Sequence, residues 1–144
     1  MPYFEWTAEL IIDRGAIDED HLLLVNLVNS LHDAATEGLS PSTVMERMAE
    51  LVFYTQDHLL REEDVMAAVG FPNLDSHKQG HIELMAHLHA LQRDYNSGQA
   101  TTALQLASLL RDWLSNHIRE ADGELRQFLQ DSAPPAALAG SLSG

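Results

Sequence analysis

The chain contains no cysteine, which excludes disulfide staples and thiolate metal sites. Basic residues are also scarce. Only 8 Lys and Arg stand against 22 Asp and Glu, giving a formal net charge of −14 and a pI near 4.7. A surface so poor in positive charge argues against a nucleic-acid partner, whose phosphate backbone requires a basic footprint. It argues equally against an anionic membrane surface. No apolar run approaches the ~18–20 residues needed to span a bilayer. The start, Met1-Pro2-Tyr3-Phe4-Glu5-Trp6, lacks the basic head and apolar stretch of a secretion signal, so the expected location is cytoplasmic. Alternating apolar and polar strand patterns are missing, and no internal repeat is visible. What remains is 144 residues, 45% of them hydrophobic, enough for one domain with its own core. There are also 8 histidines, about one residue in 18.

Apolar residues recur at three- and four-residue spacings, the period of an amphipathic helix. The spacing predicts a first helix over about Glu19 to Thr36, with Leu24, Val28 and Leu31 inward. Gly38-Leu39-Ser40-Pro41 interrupts it; Ser40 reads as an N-cap with Pro41 at the first helical position. A second helix over Pro41 to Ala68 carries Met48, Leu51, Val52, Leu59 and Met66, and Gly70-Phe71-Pro72-Asn73 ends it. A third over Leu74 to Tyr95 carries Leu84, Met85, Leu88 and Leu91 and closes at Asn96-Ser97-Gly98. A fourth over Thr101 to Leu129 carries Leu106, Leu109, Leu110, Trp113, Ala121, Leu125 and Phe128. Helices ~27–43 Å long joined by short linkers must run antiparallel. The expected fold is therefore all-α: an up-down-up-down antiparallel four-helix bundle preceded by an N-terminal arm that packs through Phe4 and Trp6. The bundle is expected to occupy residues 1–130, and the Ser/Ala/Pro/Gly/Leu-rich segment 131–144 reads as a flexible tail or linker.

The histidines fall into two groups on these helices. His58 and Glu62 are four apart and share a stripe with Leu51, Thr55 and Met66; His77 and His81 share one with Leu84 and Leu88. His117 follows Trp113 by four, and His21 aligns with Leu24 and Val28. One inward histidine is ordinary core. Five, with an inward glutamate, are not, because each polar group buried without a partner costs ~1–3 kcal/mol. A shared metal centre satisfies them together. His87 and His89 fall 80–120° off the His77 stripe and are expected in solvent, while His32 is expected in packing at the end of the core. Glu63 and Glu120 face away from the ligand stripes and read as solvated charges. Asp122, five after His117, is rotated about 140° from it and alone reads as solvent.

Ile17-Asp18-Glu19-Asp20-His21-Leu22-Leu23-Leu24 resembles the first-helix pattern I-D-x-x-H-x-x-L of the hemerythrin family in its bacterial form. His58-Leu59-Leu60-Arg61-Glu62-Glu63-Asp64-Val65-Met66 resembles H-F-x-x-E-E-x-x-M, and Phe71-Pro72 with His77 and His81 resembles the aromatic-Pro turn and H-x-x-x-H. Trp113-Leu114-Ser115-Asn116-His117-Ile118 with Asp122 resembles W-L-x-x-H-I-x-x-x-D. The four matches occur in order and span about Trp6 to Leu125. The resemblance implies seven ligands to two non-haem iron ions. His77, His81 and His117 would hold one, His21 and His58 the other. Glu62 and Asp122 would bridge them with an oxo or hydroxo group. It further implies reversible dioxygen binding at the coordination position left open on the second iron, beside an apolar pocket of Trp113, Leu114 and Ile118. Three positions depart from the family pattern: Leu59 where Phe is common, Asp20 where Gln is frequent, and Leu125 where an aromatic is frequent.

Ferritin-like oxidases use Glu-x-x-His pairs and more carboxylates than histidines, and zinc hydrolases of the His-Glu-x-x-His type need a motif this chain lacks. The expectation is a non-enzymatic dioxygen-binding protein for storage, delivery or scavenging. Two alternatives are an oxygen or redox sensor domain linked covalently to a signalling domain beyond the C-terminus, and di-iron peroxide or nitric oxide chemistry.

Overall fold

A computed structural model describes residues 2–12, 15–119 and 123–131. Within them α1 spans Ala16–Thr36, α2 Pro41–Val69, α3 Leu74–Asn96, α4 Thr102–His117 and α5 Gly123–Asp131, with a 3-10 turn at Ala8–Leu10. No strand occurs among the described residues. Local chemistry sets the boundaries. Ser40 Oγ accepts a hydrogen bond from Thr43 N at 3.3 Å, and Pro41 begins α2 where a missing N–H costs nothing. At the other end Gly70 adopts φ 69°, a left-handed conformation that glycine takes without strain, and Phe71 N donates to Met66 O at 2.9 Å. That reversal starts α3 back along α2.

α1 packs against α2 and α4, and α3 packs against the same two helices, so the four close into an antiparallel bundle. Leu24, Val28, Leu31, Leu51, Met66, Leu88, Leu106, Leu110 and Leu114 are buried in its core. The N-terminal arm is tied to α1 by backbone as well as by side chains. Asn29 Oδ1 accepts from Phe4 N at 2.6 Å, Asn29 Nδ2 donates to Phe4 O at 2.9 Å, and Asp18 Oδ1 accepts from Ile12 N at 2.7 Å. Phe4 is buried and Trp6 packs on the core. On the outer side Tyr3 lies flat between His32, 3.8 Å away ring to ring, and the Arg111 guanidinium, 4.4 Å away. His32 is thus end-of-core packing, as its position in the sequence suggests.

The fourth helix differs from the sequence expectation. In place of one helix over 101–129, α4 ends at His117, Ile118 and Arg119 form a widened π-type turn, and α5 resumes at Gly123. A π turn accommodates one extra residue, so the regular 100° step fails from this point. Ala121 lies outside the described residues. Asp131 closes α5, so helix runs one residue past the expected bundle end, and 132–144 lie outside the described residues. No helix among the described residues is long and apolar enough to cross a membrane.

Candidate metal centre

The antiparallel order brings the start of α1, the end of α2, the start of α3 and the end of α4 to one level of the bundle. There the five inward histidines meet Glu62. His21, His58, Glu62, His77 and His81 are all buried, and His117 is nearly so. Glu62 sits at the centre with its two oxygens divided between two histidine groups. Oε1 lies 3.2 Å from His117 Nε2, 3.4 Å from His81 Nε2 and 4.0 Å from His77 Nδ1. Oε2 lies 3.3 Å from His58 Nε2 and 3.8 Å from His21 Nε2, and these two nitrogens are 3.0 Å apart. The ligand-type atoms thus form two sets, Glu62 with His77, His81 and His117, and Glu62 with His21 and His58, each within 4.8 Å. One carboxylate shared by both sets is the geometry of a bridge.

The electrostatics agree with that geometry. Burial opposes the charge of Glu62, yet the ring nitrogens of His117, His21, His58 and His81 around it hold its carboxyl well below the usual range. Glu62 Oε2 and His81 Nε2 are buried without a hydrogen-bond partner of good geometry. Buried lone pairs left in this way suit a cation, which accepts several at once. The donor set of imidazole and carboxylate, with no thiolate, fits iron as it fits other borderline divalent ions. The histidines are held from behind. Trp113 stacks on His117 with ring centres 4.2 Å apart, and Phe71 meets His77 edge-on at 5.3 Å. His81 Nδ1 donates to Glu63 Oε2 at 2.7 Å, which aims Nε2 inward.

That last contact corrects the reading of Glu63 as a solvated charge. Its side chain is 17% exposed and turned to α3, because a helical residue beside the ligand stripe can still reach the neighbouring helix. The run of two glutamates after His58 was the available signal; the partner on α3 was invisible in sequence. Glu120 and Asp122 lie outside the described residues. His87 and His89 are exposed, as their helical positions indicate. Leu114 and Ile118 are buried and Trp113 is half-buried. A surface cleft of about 250 Å³ reaches His81 and Glu63 from between α2 and α3, lined by Leu59, Leu60, Ile82 and Met85.

Fold and site together define an antiparallel helical bundle with a buried histidine–carboxylate cluster suited to cations. The chain belongs to the hemerythrin family: the family pattern described as the hemerythrin HHE cation binding domain matches residues 14–129. A bacteriohemerythrin of Methylococcus capsulatus is 32% identical over 123 residues, covering 85% of this chain and 93% of that protein. A myohemerythrin of Theromyzon tessulatum is 24% identical over 119 residues, covering 83% and 88%. The crystal structure of a wild-type hemerythrin aligns with a TM-score of 0.76 at 29% identity, covering 85% of this chain and 94% of that one.

Proposed function

We propose that this protein binds dioxygen reversibly at a non-haem di-iron centre and serves as a store, carrier or scavenger of the gas. The observation that carries this reading is the division of Glu62 between two histidine groups, three on one oxygen and two on the other. We assign His77, His81 and His117 to one iron, His21 and His58 to the other, and Glu62 and Asp122 to the bridging positions, with an oxo or hydroxo group as the third bridge. When bound, the iron pair supplies two electrons and one open coordination position. The protein supplies the rest. With two histidines there against three on the other side, His21 and His58 would hold the iron that keeps the open position. Trp113 stacks on His117, and with the buried Leu114 and Ile118 it would form the apolar wall of the gas pocket. The cleft of Leu59, Leu60, Ile82 and Met85, with Gln56 and Glu63 also in its wall, offers a mostly apolar approach to His81 for a nonpolar diatomic.

A histidine-rich donor set with few carboxylates favours binding over turnover, so we read the protein as a non-enzyme. The acidic, cysteine-free composition supports a cytoplasmic location. The test is the optical spectrum of iron-loaded protein cycled between dioxygen and inert gas. A visible band that appears with dioxygen and disappears on its removal supports the reading. A band that forms once and does not reverse, or steady peroxide or nitric oxide turnover with no oxygenated form, overturns it.

A further inference from the structure

Behind His58, on the side away from Glu62, lies a chain of polar contacts that the ligand set does not use. His58 Nε2 faces Glu62 Oε2 at 3.3 Å, while its Nδ1 lies 3.3 Å from Asp20 Oδ2 on α1. The same Asp20 oxygen accepts from Arg61 Nε at 2.7 Å, and another guanidinium nitrogen of Arg61 reaches Asp57 Oδ2 at 2.5 Å. Asp57 and Arg61 are four apart on α2, so the helix itself orients the guanidinium toward α1. A carboxylate against a guanidinium is ionised and accepts only. Of the two groups only His58 Nδ1 can donate. A cation held on Nε2 would require the lone pair there, and the one hydrogen of a neutral imidazole would then sit on Nδ1, where Asp20 accepts it.

We propose that Asp20, anchored by Arg61, is a positioning residue that holds the His58 ring from behind and keeps its Nε2 turned toward the metal centre. This deepens the di-iron reading and rests on it for the identity of the metal. It also gives a role to Asp20, which stands where the resemblance leads one to expect glutamine. His81 is held in the same manner by Glu63, so each histidine group contains one ring fixed by a carboxylate behind it. In both pairs the carboxylate comes from a different helix than the histidine, and Asp20 thereby ties the register of α1 to the ligand geometry of α2.

The test uses the full chain. Anaerobic titration with ferrous iron and, separately, with zinc should show affinity about 10–100-fold weaker for Asp20→Ala and a smaller loss for Asp20→Asn, whose amide oxygen still accepts. Equal helicity by circular dichroism shows that the variants fold, and Asp20→Asn carries the test if Asp20→Ala does not. An Asp20→Ala variant with unchanged affinity overturns the proposal, as does an Asp20→Asn variant as weak as Asp20→Ala. If the wild type binds zinc but no iron and Asp20→Ala weakens zinc, the positioning role stands and the di-iron reading falls.

Discussion

Glu62→Gln is the substitution that most directly probes the shared carboxylate. It preserves volume, so the bundle should fold, but it replaces two equivalent anionic oxygens with one neutral oxygen and an NH₂ donor. The five histidine nitrogens within 4.0 Å of Glu62 would then face an amide that serves one histidine group at most. Protein sites with about four ligands bind their metal by ~10–16 kcal/mol, roughly 2.5–4 kcal/mol for each ligand. Loss of one ligand therefore weakens an ion by about 10²–10³-fold. Because Glu62 belongs to both groups, at least one ion should weaken by that factor, and the loss of bridging charge should weaken the other as well. Competition for ferrous iron against a chromophoric chelator under anaerobic conditions measures both affinities, with circular dichroism as the folding control. Wild-type affinity for both ions would refute the bridging role. Weakening of one ion with the other wholly unaffected would show that Glu62 serves a single group.

His77→Ala should greatly lower iron occupancy, whereas His87→Ala, on an exposed histidine, should leave it unchanged; equal effects in elemental analysis would contradict the placement of His77. The depressed carboxyl of Glu62 also sets a pH dependence for the metal-free protein. A group whose folded-state pKa lies below its usual 4.5 adds stability above that pH and loses it as pH falls toward the folded value. Urea midpoints should therefore drop more steeply below about pH 4.5 in the wild type than in Glu62→Gln. Parallel profiles would remove Glu62 as the source. Asp20 contributes in the same direction. Its burial opposes ionisation, but His58 and Arg61 outweigh that and hold its carboxyl below the usual range.

Much of this arrangement was legible in the chain because it rests on local rules. Ser40-Pro41 and Gly70 mark the ends of α2 through capping and left-handed geometry, and the three- and four-residue period places Leu51, Leu88 and Leu106 in the core. The same period turns His21, His58, Glu62, His77 and His81 inward, since a helix carries ligands and apolar residues on one stripe. What was not legible depends on departures from ideal helix or on contacts between helices. The widened turn at Ile118 and Arg119 breaks the 100° step at the end of α4, so the single helix expected over 101–129 does not form. Glu63 and Asp20 look like surface acids within their own helices. Their roles exist only because α3 presents His81 and α2 presents His58 across the interface. Asp57 and Arg61 pair at i,i+4 within α2, and Asp20 joins them from α1 across the interface.

The most direct test of the central claim is the number of iron ions bound by one chain. Anaerobic titration of the metal-free protein with ferrous iron, followed by gel filtration and elemental analysis, should plateau at two ions per chain, because Glu62 joins two distinct histidine groups. A plateau at one, or no retained iron, would contradict it.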